Sequence, residues 1–264
     1  MSPFLSRLLV AVVLLPVVLG IVWAGGWWLF ALALVGGLAA LHELYRMARG
    51  LHPIVLGGYA GLVLALLGAQ LGGLTWVFGG VLATVPAALL VFFVSSVRQN
   101  AVAAFATTLL GVVWIGGGLA YLMLVRDIPD NGRLLVFTVL LTVFADDTAA
   151  FFVGRTIGRH RLAPAISPGK SWEGLVGGTV AGVAVTFFAL YEQDVVSTGD
   201  SLLLGLAIVA AATLGDLFES AVKRDLGVKD SGRLLAGHGG MLDRVDSLLW
   251  AGPAAYFTLL ALAG

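Results

Sequence analysis

Carboxylates stand in this chain where an apolar sequence would be expected to place hydrocarbon. Asp146 and Asp147 occur in VFADDTAAFF, Asp216 and Glu219 in TLGDLFES, and Asp243 and Asp246 in GHGGMLDRVDS. An ionised side chain at the centre of a membrane helix costs about 2.5–3.5 kcal/mol even on the lenient insertion scale. Several at similar depth therefore point to a polar cavity open to one membrane face. Asp243 and Asp246 are three residues apart, which puts them on one side of a helix. Paired carboxylates with oxygen-only surroundings suit a hard cation such as Mg²⁺, completed by water and phosphate. Zinc-type clusters are absent, and the chain has no cysteine, so disulfides and thiolate chemistry are excluded. The competing reading is that a carboxylate pairs with a nearby arginine as interhelical glue; it carries most weight for Asp146 and Glu219.

The segments beside these carboxylates have the chemistry of phosphate sites. Lys223, Arg224, Lys229, Arg233 and Arg244 alternate with Gly227, Gly232, Gly237, Gly239 and Gly240. Glycine lets backbone N–H groups approach an anion closely, and the cations neutralise it. A basic loop could instead serve only membrane orientation or anionic headgroups, but that reading leaves the alternation with Asp and Gly unexplained. In SPGKSWEG, Gly169-Lys170-Ser171 invites a P-loop reading, yet position 164 is Pro where that motif needs Gly, and no strand-to-helix context is expected. Lys170 is kept as a phosphate contact; Glu173 either orients it or belongs to a Ser-x-x-Glu cap around Ser171. His238 is read as part of a tight turn in preference to a general acid or base. His42, His52 and His160 stand alone near expected helix ends.

Stretches of about 17–25 apolar residues can span a bilayer, and such runs fall at about 8–24, 27–45, 54–70, 74–94, 101–124, 133–153, 173–191, 201–221 and 246–263. With 59% hydrophobic and 11% charged residues and mean hydropathy +1.01, the expectation is an all-α polytopic membrane protein with about nine helices. The first run is read as a retained helix, because no small-residue cleavage site with a polar start follows it. Five spans fill an amino-terminal part, 1–130. The remainder, 131–264, is expected to be catalytic, with basic inner loops at 154–172 and 222–245. A cytoplasmic amino terminus and an outer carboxyl terminus put every Lys and Arg inside except Arg126 and Arg133. Asp146 and Asp147 then lie about 10 Å below the inner surface. Trp23, Trp27 and Trp28 mark the first outer turn. The net charge is zero, which gives no signal for nucleic acid.

The stretch SAVKRDLGVKDSGRLLAGHGGMLDRVDS resembles the signature of the bacterial phosphatidate cytidylyltransferases, or CDP-diacylglycerol synthases. Ser220, Lys223, Arg224, Lys229, Asp230, His238, Gly239, Gly240, Asp243, Arg244 and Asp246 carry the resemblance. The upstream stretches ADDTAAFFVGRTIGRHRLAPAISPGKSWEG and GDLFES also resemble the family's other polar segments, so that the likeness covers roughly 144–178 and 213–247. Ala236 and Ala149 depart from the pattern, standing where the family usually has Pro and Gly.

The resemblance implies CMP transfer from CTP to phosphatidic acid at the cytoplasmic face of the inner membrane, giving CDP-diacylglycerol and pyrophosphate for phospholipid synthesis. In that reading Asp216, Asp243 and Asp246 hold Mg²⁺, with a second cation as an option. Lys223, Arg224, Lys229 and Arg244 neutralise the triphosphate, and Asp230 holds Lys229 or a metal-bound water. Ser167, Lys170, Glu173, Asp146 and Asp147 line the opposite wall, while Ser220, His238, Gly239 and Gly240 contact substrate. A homodimer is implied by the resemblance alone. The rival readings are another CTP-using lipid enzyme (CDP-archaeol synthase-like or polyprenol kinase-like), an ion-coupled transporter, and a lipid-binding scaffold. A transporter would be expected to hold its polar groups at the bilayer midplane and to show internal symmetry.

Overall fold

The computed structural model describes residues 15–95, 100–193, 195–232 and 239–263. Arg233, Ala236, Gly237 and His238, named above, lie outside the described residues, as do Arg7 and Arg98 among the cations expected inside. Seven described helices are long and apolar enough to cross a membrane, and Leu15–Ala24 is a shorter apolar helix. The chain is an all-α polytopic membrane protein. Its elements are α1 (Leu15–Ala24), α2 (Gly26–Met47), α3 (Val55–Val94), α4 (Ala101–Gly111), α5 (Gly118–Arg126), α6 (Gly132–Ile157), β1 (Arg161–Ala163), β2 (Ser167–Ser171), α7 (Trp172–Leu190), α8 (Thr198–Asp225) and α9 (Leu242–Ala263). A π-helical turn, Val112–Gly117, joins α4 to α5 into one span.

Helix α3 is broken at Gly73, whose φ of 69° suits glycine. Its two arms, 55–72 and 74–94, fold back on each other. A Cβ at Gly57 would strike Ala88, one at Gly61 would strike Thr84, and one at Gly80 would strike the Leu64 carbonyl. Small residues let the two backbones approach, the usual device where lipid supplies no hydrophobic drive between helices. The Gly72-Gly73 pair, a weak break by sequence, is therefore a hairpin turn.

The chain divides into two compact units, 1–127 with 228–245 and 128–227 with 246–264. In the first, the buried side chains of Leu41, Leu44, Leu62, Leu66, Ile115 and Met123 form the core. Tyr45 donates from its hydroxyl to the Thr108 carbonyl at 2.9 Å, and Thr108 Oγ1 accepts the Ile54 N–H at 2.8 Å. Arg126 satisfies the end of α1 by donating to the carbonyls of Val22 and Trp23. Trp23, Trp27 and Trp28 are exposed there.

In the second unit, Gly174, Gly178 and Gly182 recur at i, i+4 along α7 and are buried. A Cβ at Gly178 would meet Asp146, and one at Gly182 would meet Val209. Gly205 does the same for α8 against Thr186. Phe144, Phe151, Phe152, Val180 and Phe188 stay exposed on the outside, as side chains facing lipid do.

Three boundaries differ from the sequence expectation. Helix α6 runs to Ile157, so Asp146 lies eleven residues before its end, about 16 Å of helix rather than 10 Å. Helix α8 runs to Asp225, which places Lys223 and Arg224 on a helix and not in a loop. Helix α9 starts at Leu242, so Asp243 is helical from the outset. In each case the polar residues extend a helix beyond the apolar run that marked it.

Candidate functional site

The residues singled out by sequence fall into two groups, one in each unit. In the second unit, Asp216 lies within electrostatic reach of Asp146, Asp147 and Asp246, Lys170 within reach of Asp146 and Asp147, and Lys223 within reach of Asp246. Lys170 Nζ sits 2.7 Å from Asp216 Oδ2, with both side chains partly exposed. Ser220, one turn on along α8, points its hydroxyl at Asp216 at 3.4 Å. Lys223 pairs at 2.5 Å with Glu219, whose side chain is only 1% exposed. Glu219 thus pairs with a lysine of its own helix, in the i, i+4 geometry. Asp246 accepts the N–H of Ser247 at 2.8 Å. Asp146 is 4% exposed and its oxygen faces Gly178. Neither Asp146 nor Asp147 has a hydrogen bond or ion pair among the described residues, so no described arginine serves Asp146 as interhelical glue.

A two-stranded antiparallel hairpin presents Lys170 to this group. Strands β1 and β2 pair Arg161 with Ser171 and Ala163 with Ser167, and β2 leads directly into α7. The strand-to-helix context that sequence reading excluded is therefore present, although the P-loop glycines are not. Ser171 caps α7 by accepting the Gly174 N–H at 3.1 Å. Glu173 does neither of the things expected of it. Its carboxylate reaches back to the N–H groups of Arg159 and His160 and to His160 Nδ1 at 2.7 Å. That closes the base of the hairpin and gives His160 a partner. Arg224 donates to the Ile166 carbonyl at 3.2 Å and ties the hairpin tip to α8. His42 likewise has a partner, the Tyr59 hydroxyl at 2.8 Å.

The first unit holds the other group. Asp243 accepts the Gly240 N–H at 2.9 Å and the Ser231 N–H at 3.2 Å. Gly239 has φ 83°, a backbone setting that favours glycine. Lys229 and Asp230 form no ion pair with each other among the described residues. One carboxylate here was missed from the sequence. Glu43, in ALHELYRM, is 2% exposed and accepts the Ser231 hydroxyl and the Leu242 N–H. The signal was available, because a lone acid inside an apolar run is by default a functional candidate.

Among the described residues, no three His, Cys, Asp or Glu side chains are arranged to hold a metal ion by themselves. What the second unit offers is an excess of carboxylate over ammonium beside cations that can meet phosphate. That combination suits a ligand bearing both polyphosphate and a divalent cation.

Comparison with known proteins agrees with this chemistry. The sequence model of a family described as the cytidylyltransferase family matches residues 5–262. The phosphatidate cytidylyltransferase of Mycobacterium bovis is 35% identical over 254 residues, covering 88% of this chain and 80% of that protein. That of Bacillus subtilis is 35% identical over 248 residues, covering 86% of each. That of Staphylococcus haemolyticus is 34% identical over 261 residues, covering 97% of this chain and 99% of that protein.

Proposed function

This chain belongs to the cytidylyltransferase family, and from that premise we propose that it transfers CMP from CTP to phosphatidic acid, giving CDP-diacylglycerol and pyrophosphate for phospholipid synthesis. The observation that carries the reading to this chain's own residues is the Lys170–Asp216 pair, set among further carboxylates and Lys223 in the second unit.

An oxygen of the lipid phosphate attacks the α-phosphorus of CTP, the α–β P–O bond breaks, and its electron pair leaves on pyrophosphate. A phosphomonoester has its second pKa near 6 and is mostly dianionic at pH 7, so the attacking oxygen needs no strong base. Catalysis then rests on positioning and charge neutralisation. Lys170, Lys223 and Arg224 stand on β2 and α8 to meet phosphate oxygens, with Lys229 and Arg244 as the cations of the 228–245 segment. An arriving triphosphate competes with Asp216 for Lys170 and releases that carboxylate as a ligand.

The residues fit Mg²⁺. Asp216 and Asp246 offer only oxygen donors, and Asp246 retains an oxygen without a partner among the described residues. Asp243, which belongs to the first unit's group and accepts from the Ser231 and Gly240 N–H groups, is the further carboxylate that the family signature offers. Mg²⁺ characteristically takes one or two carboxylates and completes its shell with water and phosphate, so two aspartates suffice. When bound, it supplies charge neutralisation on the phosphates. Asp146 and Asp147 line the same group, Ser167 and Glu173 keep the hairpin in place, and Ser220 orients Asp216.

The distribution of Lys and Arg supports a cytoplasmic amino terminus, an inner-membrane location and a site facing the cytoplasm. A homodimer remains the family-based expectation. The test is labelled CTP with purified protein, Mg²⁺ and phosphatidic acid, with a polyprenol and an archaeal ether lipid as competing acceptors. Label is expected in CDP-diacylglycerol. Transfer to the polyprenol or the ether lipid in preference would overturn the choice of substrate.

A further inference from the structure

Glu43 is buried in α2 and has no part in the reaction as just described. Two donors converge on one of its oxygens, Oε2: the Ser231 hydroxyl at 3.2 Å and the Leu242 N–H at 3.0 Å. These partners lie 188 and 199 residues away in sequence. Ser231 in turn donates its N–H to Asp243, and the Gly240 N–H donates to the same Asp243 carboxylate. Glu43 thus grips both flanks of the polar segment, 231–232 and 240–242, and Ser231 links it to Asp243. No larger residue fits at either flank, since a Cβ at Gly232 would run into the Glu43 carboxylate and one at Gly240 into Ser231 Oγ and Glu43.

The second oxygen of Glu43 is buried with no hydrogen-bond partner among the described residues. A buried carboxylate is costly in a membrane helix, and an apolar side chain would pack α2 without that cost. An acid at this position therefore needs a reason beyond filling space. The contacts supply one, because they fix where α9 begins and where the Asp243 carboxylate lies.

We propose that Glu43 is a positioning residue for nucleotidyl transfer, acting through Ser231 and Leu242 to hold Asp243. This rests on the function proposed above. Because both donors meet a single oxygen, the amide oxygen of Gln can replace it, whereas Ala offers no acceptor. That difference makes the conservative variant diagnostic.

The experiment compares purified full-length wild type, Glu43→Ala, Glu43→Gln and Ser231→Ala. Steady-state kinetics are measured with CTP and phosphatidic acid varied in turn, and hydrogen exchange is followed in peptides covering 228–232 and 239–246. For Glu43→Ala, kcat is expected to fall about 100-fold with KM for phosphatidic acid within about twofold, and the amides of Ser231, Gly240 and Leu242 to exchange faster. Glu43→Gln is expected to recover kcat to within about tenfold of wild type, and Ser231→Ala to fall between the two. A Glu43→Ala kcat close to wild type, unchanged exchange at the flanks, or a folded Glu43→Gln as inactive as Glu43→Ala would each overturn the proposal. If Glu43→Ala does not fold, Ser231→Ala decides the matter: lower kcat with faster flank exchange supports it, and wild-type kcat refutes it. A wild type inactive with these substrates would mark failure of the functional reading instead, and the exchange comparison alone would then decide whether Glu43 fixes the flanks.

Discussion

Glu43 and Asp243 of the first unit and Asp216 and Glu219 of the second are held by different means. In the first, Glu43 and Asp243 accept from backbone N–H groups and a serine hydroxyl. In the second, Asp216 and Glu219 are met by the ammonium groups of Lys170 and Lys223. A backbone donor cannot leave without unfolding its segment, so such bonds fix geometry. A lysine ammonium on a flexible stem can change partners when a stronger anion arrives. The first arrangement suits holding a shape, and the second suits exchanging charge with a substrate.

The largest test of this contrast is to neutralise the second unit's acids. Asp216→Asn and Asp246→Asn are expected to lower kcat at least about 1,000-fold while preserving a monodisperse peak in size-exclusion chromatography. Folded, active variants would break the distinction. Removing the exchangeable cation should come next. Lys170→Ala is expected to lose about 100-fold in kcat/KM for CTP, with the KM for phosphatidic acid little changed. Lys170→Arg should recover part of that loss by keeping the charge.

Smaller effects should follow where the surroundings only support the site. Gly178→Val places a side chain against Asp146 and the closely packed face of α7. A loss of about 1–3 kcal/mol is expected, read as a lower melting temperature in detergent. The smallest effect belongs to the helix cap beneath the hairpin. Ser171→Ala removes the acceptor for the Gly174 N–H and should cost about 1 kcal/mol, read as faster exchange at the start of α7 with activity within a few-fold of wild type. A large loss of activity there would mean that the hairpin does more than present Lys170.

Much of this organisation was legible in the sequence because hydropathy marks what lipid demands. The segments around 27–45, 133–153, 173–191 and 201–221 all became helices, since an apolar stretch in a bilayer must satisfy its own backbone. Their ends were misjudged wherever polar residues continue a helix, as at Ile157 and Asp225. The β1–β2 hairpin escaped notice because its strands are three and five residues long and carry no alternating pattern. The polar residues that matter were identified by type, but their partners were not. Lys170 went to Asp216, and Glu173 to the backbone and side chain at the base of the hairpin, both choices set by tertiary contact. Glu43 was passed over because it stands alone, and only folding brings Ser231 and Leu242 to it.

The transfer chemistry is assigned to the second unit's carboxylates, Asp216 and Asp246 among them. It is tested most directly by incubating labelled CTP and phosphatidic acid with purified wild type, Asp216→Asn and Asp246→Asn across a Mg²⁺ titration. Mg²⁺-dependent CDP-diacylglycerol, with one pyrophosphate released per lipid, is expected from the wild type alone. Near-native product from either folded variant would contradict it.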